Sequence, residues 1–145
     1  SERVLCSTKL GKNMKEAGIE RVENCQAHHL IPDEVVREHP LTRKLCKEKG
    51  TEYFDRAENG IFLPSTKDNV HPSVKDLPRH RGSHPKYSQM VRQKLNRLEK
   101  ALVNKYGSLE NIPSNVLEVK IQKLQTKLKQ SIENHRVSKK DGRLC

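Results

Sequence analysis

The chain reads as an α+β protein in which a short strand-bearing segment is joined to two long helices. Two helical stripes point there: Tyr87, Val91, Leu95, Leu98, Leu102 and Tyr106 recur at steps of four or three, and Leu117, Ile121, Leu124, Leu128 and Ile132 do the same. Ahead of them, Tyr53-Phe54 and Ile61-Phe62-Leu63 flank a polar stretch, the pattern of a hairpin. At 145 residues there is room for one core and not for two ordinary domains. Aromatic residues make up 3% with no tryptophan, so the expected core is built from Leu, Ile and Val.

In order along the chain, residues 1–19 place Val4, Leu5, Leu10, Met14 and Ala17 at roughly helical intervals. A short amphipathic helix stopped by Gly18 is expected there, with Gly11 lowering its propensity. Residues 20–28 alternate loosely and predict a short strand ending at His28; Pro32 then ends any ladder. Asp33 is placed to cap a helical segment over 34–49 that Gly50 closes, and His39-Pro40 interrupts it, which points to two short pieces rather than one. Residues 51–63 read as the hairpin, its bend at Asn59-Gly60. The stretch 64–83, with Pro64, Pro72 and Pro78, is an irregular loop too long to be idle. Pro85 suits the first turn of a helix running to about Lys105 before Gly107, and a second begins near Ser114, the two packing antiparallel. The tail over 135–145 is basic and expected to be loose.

Lysine and arginine number 29 against 18 acidic residues, a net charge of +11. Such a field attracts phosphates regardless of sequence, and polyanions are the obvious partners. Cys6, Cys25, Cys46 and Cys145 show no Cys-x-x-Cys spacing, so free thiols are expected rather than a zinc ribbon. No apolar run is long enough to span a membrane, and the N-terminus lacks the apolar core of a signal peptide. A start at Ser1 rather than methionine suits a piece excised from a longer protein.

Chemistry concentrates in His28-His29, followed by Pro32, and in His80 and His84. Adjacent strand residues face opposite ways, but at a strand end entering a turn both imidazoles can reach one cleft, one to ligate and one to act as a base. Gly82 and Pro85 argue against a regular helix across His80 and His84. A turn entering a helix would instead let His28, His80 and His84 form a three-ligand site with open positions for water and phosphate. A phosphate contact is the alternative for one of the pair. His29, with an ordinary pKa near 6.5, suits a general base acting on water. Arg79, Arg81 and Lys86 lie close enough in sequence to hold flanking phosphates. Asn59 is at once a common turn residue and a candidate for holding the base's loop. Water as nucleophile requires no 2′-hydroxyl, so DNA is permitted and RNA is not excluded.

Three blocks, Ala27-His28-His29 with Leu30-Ile31-Pro32, Glu58-Asn59-Gly60-Ile61-Phe62-Leu63-Pro64, and His80-Arg81-Gly82-Ser83-His84-Pro85-Lys86-Tyr87, together resemble the AHH family of HNH/endonuclease VII nucleases. The resemblance covers about residues 25–91. It implies a ββα-metal (HNH-like) core over 21–106, with an N-terminal helical extension over 1–20 and a C-terminal helix and basic tail over 107–145, all in one nuclease domain. It implies His29 as general base, Asn59 as the residue tying down its loop, and His28, His80 and His84 as ligands to one divalent ion: zinc, nickel, magnesium or manganese. Ser88 stands where related sequences often carry asparagine.

The expected function is an endonuclease cutting DNA with little sequence preference. The resemblance further implies the toxic C-terminal domain of a secreted antibacterial effector, delivered to the target-cell cytoplasm and met by a cognate immunity protein. The alternatives are an RNase of the same fold, a non-catalytic nucleic-acid-binding module with a structural metal, and a basic helical interaction protein without metal.

Overall fold

The computed structural model describes residues 2–68, 70–80 and 82–145. Helix α1 spans Ser7–Glu16, later than the apolar pattern alone suggests. The backbone N–H groups of Val4 and Leu5 both donate to Asp33 Oδ1 at 2.8 Å, and that of Cys6 to Asp55 Oδ1 at 2.9 Å. The first residues are thereby drawn out as a strap across two buried carboxylates. Asp33, expected to cap the next helix, is so engaged and also accepts from Arg37. Leu10 and Met14 of α1 pack on Cys25, Ala27 and Phe62 in a small core of their own.

Strand β1 (Cys25–His29) pairs antiparallel with β2 (Gly60–Pro64), with Cys25 opposite Pro64 and His29 opposite Gly60. The hairpin expected within residues 51–63 is not formed. Residues Thr51–Asp55 and Ala57–Asn59 are 3-10 turns, and β2 takes its partner from far upstream. The reason is tertiary: Tyr53 and Phe54 bury in the main core rather than lining up across from β2. Gly60 therefore starts a strand instead of bending a hairpin, and a Cβ there would collide with the Met14 sulfur.

Helices α2 (Asp33–Glu38) and α3 (Pro40–Lys49) are two pieces, separated by His39 in extended conformation. Nδ1 of His39 accepts the Leu41 N–H at 3.1 Å, and its Nε2 lies 2.9 Å from Asn96 Oδ1. The residue that precedes the breaking proline thus caps the helix that follows. Helices α4 (Pro85–Tyr106) and α5 (Ser114–Glu133) keep their predicted stripes inward, where Val91, Leu95, Leu117, Ile121 and Leu128 join the main core.

The tail is ordered, against expectation. Lys139–Lys140 (β3) and Arg143–Leu144 (β4) form an antiparallel hairpin, and Leu144 is buried. Burial of one leucine is worth roughly 1.5–3 kcal/mol, enough to dock a segment that is otherwise polar. None of the helices described is long and apolar enough to cross a membrane.

Candidate active site

β1 delivers two histidines in succession, and the strand's alternation sends them to different partners. The His28 ring meets His80 at 4.3 Å and His84 at 5.3 Å between centroids, while His29 Nε2 lies 2.8 Å from Asp55 Oδ1. Both nevertheless line one cavity of about 360 Å³, together with His80, His84, Glu34 and Arg3.

The loop bearing His80 is held on both sides. The His80 N–H donates to the Pro64 carbonyl at 3.0 Å, while Arg79 N–H donates to Gly142 and Leu144 N–H to Arg79, both at 2.9 Å. His84 occupies the N-cap of α4 ahead of Pro85. The carbonyl of Cys145 accepts the Lys86 N–H at 2.8 Å and the Tyr87 N–H at 3.3 Å, closing the first turn beside His84. The C-terminal hairpin therefore braces both histidines of the third block.

One ring nitrogen from each of His28, His80 and His84 lies within 4.8 Å of the others, a group able to hold a metal ion. The fit is supported by two buried nitrogens, His28 Nε2 and His80 Nδ1, that have no hydrogen-bond partner among the described residues. A buried polar nitrogen left unpaired costs about 1–3 kcal/mol, and a cation is a partner that removes that cost. Burial lowers the pKa of His28 far below its ordinary value, helped by the neighbouring imidazoles. Burial and then His84 bring His80 down to about 4. In His84 burial lowers the pKa against the opposing charge of Glu34. All three are neutral at pH 7, the form that ligates.

A carboxylate only accepts, so His29 Nε2 carries the hydrogen of its bond to Asp55 and the ring's lone pair resides on Nδ1. Burial lowers the His29 pKa, and the Asp55 bond and charge pull the other way. Asn59 is fully buried at the end of the 3-10 turn just before β2: its Oδ1 accepts the Ile31 N–H at 2.8 Å, and its Nδ2 donates to the carbonyls of Ile31 at 3.1 Å and Phe54 at 2.9 Å. One amide thus ties the turn after His29 to the turn that carries Asp55. Gln125 of α5 adds a bond to Asn59 Oδ1 at 3.2 Å.

Of the proposed phosphate contacts, Arg79 donates to the carbonyl of Asp141 and lines a different cavity, with Lys67 and Lys139. Lys86 is exposed on the first turn of α4, and Arg81 lies outside the described residues. Asp55, Glu34 and Arg3 join the site without any sequence motif pointing to them, while Tyr87 is buried in the main core as its place on the helical stripe predicts. Tyr87 donates its hydroxyl to the Leu30 carbonyl at 2.5 Å, and the Ser88 hydroxyl bonds Glu34 at 2.5 Å. An acid following the apolar pair Tyr53-Phe54 was the one available signal for Asp55.

No curated protein and no solved structure matches the chain. A family model described as a nuclease family of the HNH/ENDO VII superfamily with conserved AHH matches residues 10–128. Nucleic acid is the substrate class of such a family, and the antiparallel β1–β2 pair followed by α4 is compatible with its α+β, HNH-like fold. The match spans β1 and β2 and takes in all four histidines of the cavity: the chain belongs to the AHH family of nucleases.

Proposed function

We propose that the chain is a metal-dependent endonuclease that hydrolyses DNA phosphodiester bonds with little sequence preference. The observation that carries this reading is the division of labour within His28-His29: His28 converges with His80 and His84, whereas His29 is hydrogen-bonded to a carboxylate beside them. In this reading His28, His80 and His84 hold one divalent ion, which when bound offers positive charge to the phosphate and the leaving oxygen. His29 takes a proton from water at Nδ1, Asp55 orients the ring and favours the imidazolium that results, and Asn59 keeps the loop in register. Zinc, nickel, magnesium and manganese are the ions to try, imidazole ligands favouring the first two. Arg79, Arg81 and Lys86 are candidates for outlying phosphate contacts.

We further propose service as the toxic C-terminal domain of a secreted antibacterial effector, delivered into the target-cell cytoplasm and countered by a cognate immunity protein. The support is the family resemblance together with the +11 charge, which suits an enzyme that must find any nucleic acid. Plasmid DNA incubated with each ion, with a chelator control, tests the activity. Cleavage that needs the ion and vanishes in His29→Ala supports it. Salt-sensitive binding without scission under every ion would leave a non-catalytic binding module, and cleavage of RNA alone would make it an RNase.

A further inference from the structure

Beside the histidine cavity lies a second and larger one, about 670 Å³, between α1 and β1. Its floor is Ala27 and Phe62, and its rim carries Lys12 and Lys15 of α1 together with Arg21, with Glu16 as the one acid. Lys12 and Lys15, three residues apart, share a face of α1, and all three basic side chains are exposed. His80 lines both cavities, so the two meet at a candidate metal ligand. Arg3 also lines the histidine cavity, on the strap anchored to Asp33 and Asp55. Positive charge therefore borders both cavities, which share His80 in their walls.

Gly11 adds an independent observation. It lines the groove at the middle of α1, and a Cβ there would rest 3.6 Å from the Ala27 Cβ, on the floor itself. Glycine inside a helix costs about 1 kcal/mol relative to alanine. A methyl there would make ordinary contact with that floor, so any larger side chain would have to extend into the groove that Gly11 lines.

We propose that this groove is the track for the nucleic-acid strand flanking the scissile phosphate, with Lys12, Lys15 and Arg21 binding its phosphates and Gly11 keeping the channel open. The assignment rests on the nuclease reading and adds to it where the substrate runs. A competing basic surface exists on α4 and α5, where Lys120, Lys123 and Lys127 line a shallow patch with Lys94 and Arg97. That patch does not include any of the four histidines, so charge there supplies attraction without aligning a phosphodiester.

The test compares two triple variants that remove equal charge: Lys12→Ala/Lys15→Ala/Arg21→Ala in the groove and Lys120→Ala/Lys123→Ala/Lys127→Ala on α5. A fluorescein-labelled DNA duplex is titrated in chelator, so that binding is read without cleavage, from 50 to 200 mM salt as a range over which phosphate contacts dominate. The groove triple should lose roughly tenfold or more in affinity, and its slope of log K against log salt should flatten by about 2–3, since each lost phosphate contact accounts for about 0.9. The α5 triple should change both by less than half as much. Gly11→Leu, which alters no charge and favours the helix, should also weaken binding by plugging the channel. Equal losses in the two triples, or full affinity in Gly11→Leu, would overturn the track while leaving cleavage by the wild type intact. Wild-type protein that neither binds nor cuts would remove the nuclease reading along with it.

Discussion

His29 and Asp55 meet at 2.8 Å between Nε2 and Oδ1, with both side chains 4% exposed. The pair joins the end of β1 to a 3-10 turn 26 residues away, and the same Asp55 oxygen also takes the Cys6 N–H. One carboxylate therefore orients the candidate base and anchors the strap that carries Arg3.

The first prediction concerns this pair. Asp55→Asn keeps a hydrogen-bond acceptor but removes the charge, so cleavage should fall by about tenfold or more while metal affinity stays near wild type. His29→Ala should cost about 10²–10⁴-fold, the usual worth of a general base. Single-turnover rates beside zinc or nickel titrations separate the two effects. Unchanged rates in both variants would strip His29 of its role.

Metal binding should respond in the opposite way at His28 and His84. Replacing either by alanine should weaken zinc or nickel affinity by at least about 100-fold, since one of three protein ligands is lost. Isothermal titration checks this without any nucleic acid present. Tight binding in both variants would mean that the ion sits elsewhere.

Acidification should destabilise the metal-free protein. His28 and His80 have folded pKa values below the unfolded value near 6.5, His80 at about 4, so the unfolded chain binds protons that the folded chain refuses. Stability is thus highest above about pH 6.5 and declines as pH falls toward 4. Zinc, which binds the neutral rings, should raise the melting temperature at pH 7 and lose that effect toward pH 5 as protons compete. Melting curves across this range, with and without metal, give the answer; a flat profile would contradict the burial of these rings.

Asn59→Ala should destabilise the fold as well as impair cleavage. The substitution strands the Ile31 N–H and two carbonyls in a dry interior, a loss of about 2–4 kcal/mol at roughly 1–3 per group with partial relaxation. A chemical-denaturation midpoint within error of wild type would show that water replaces the amide.

Leu144→Ala should weaken metal binding from a distance. Removing a buried leucine side chain costs about 2–5 kcal/mol, and the hairpin it anchors braces Arg79 next to His80 and the first turn of α4 next to His84. Metal affinity is the readout; an unchanged value would make the hairpin a passive cover.

Local order in the amino-acid sequence determined the stripes of α4 and α5, the break at His39-Pro40, the strand reaching His28 and the three blocks that resemble the AHH family. These features rest on periodicity, on proline and on residue identity, which a single segment expresses by itself. Only the tertiary structure decided that β2 pairs with β1 instead of with residues 51–55, that Asp55 faces His29, and that the basic tail folds over the His80 loop. Each of these depends on which distant group satisfies a buried polar atom or covers an apolar side chain. Such a choice is made among partners dozens of residues apart, and no local pattern records it.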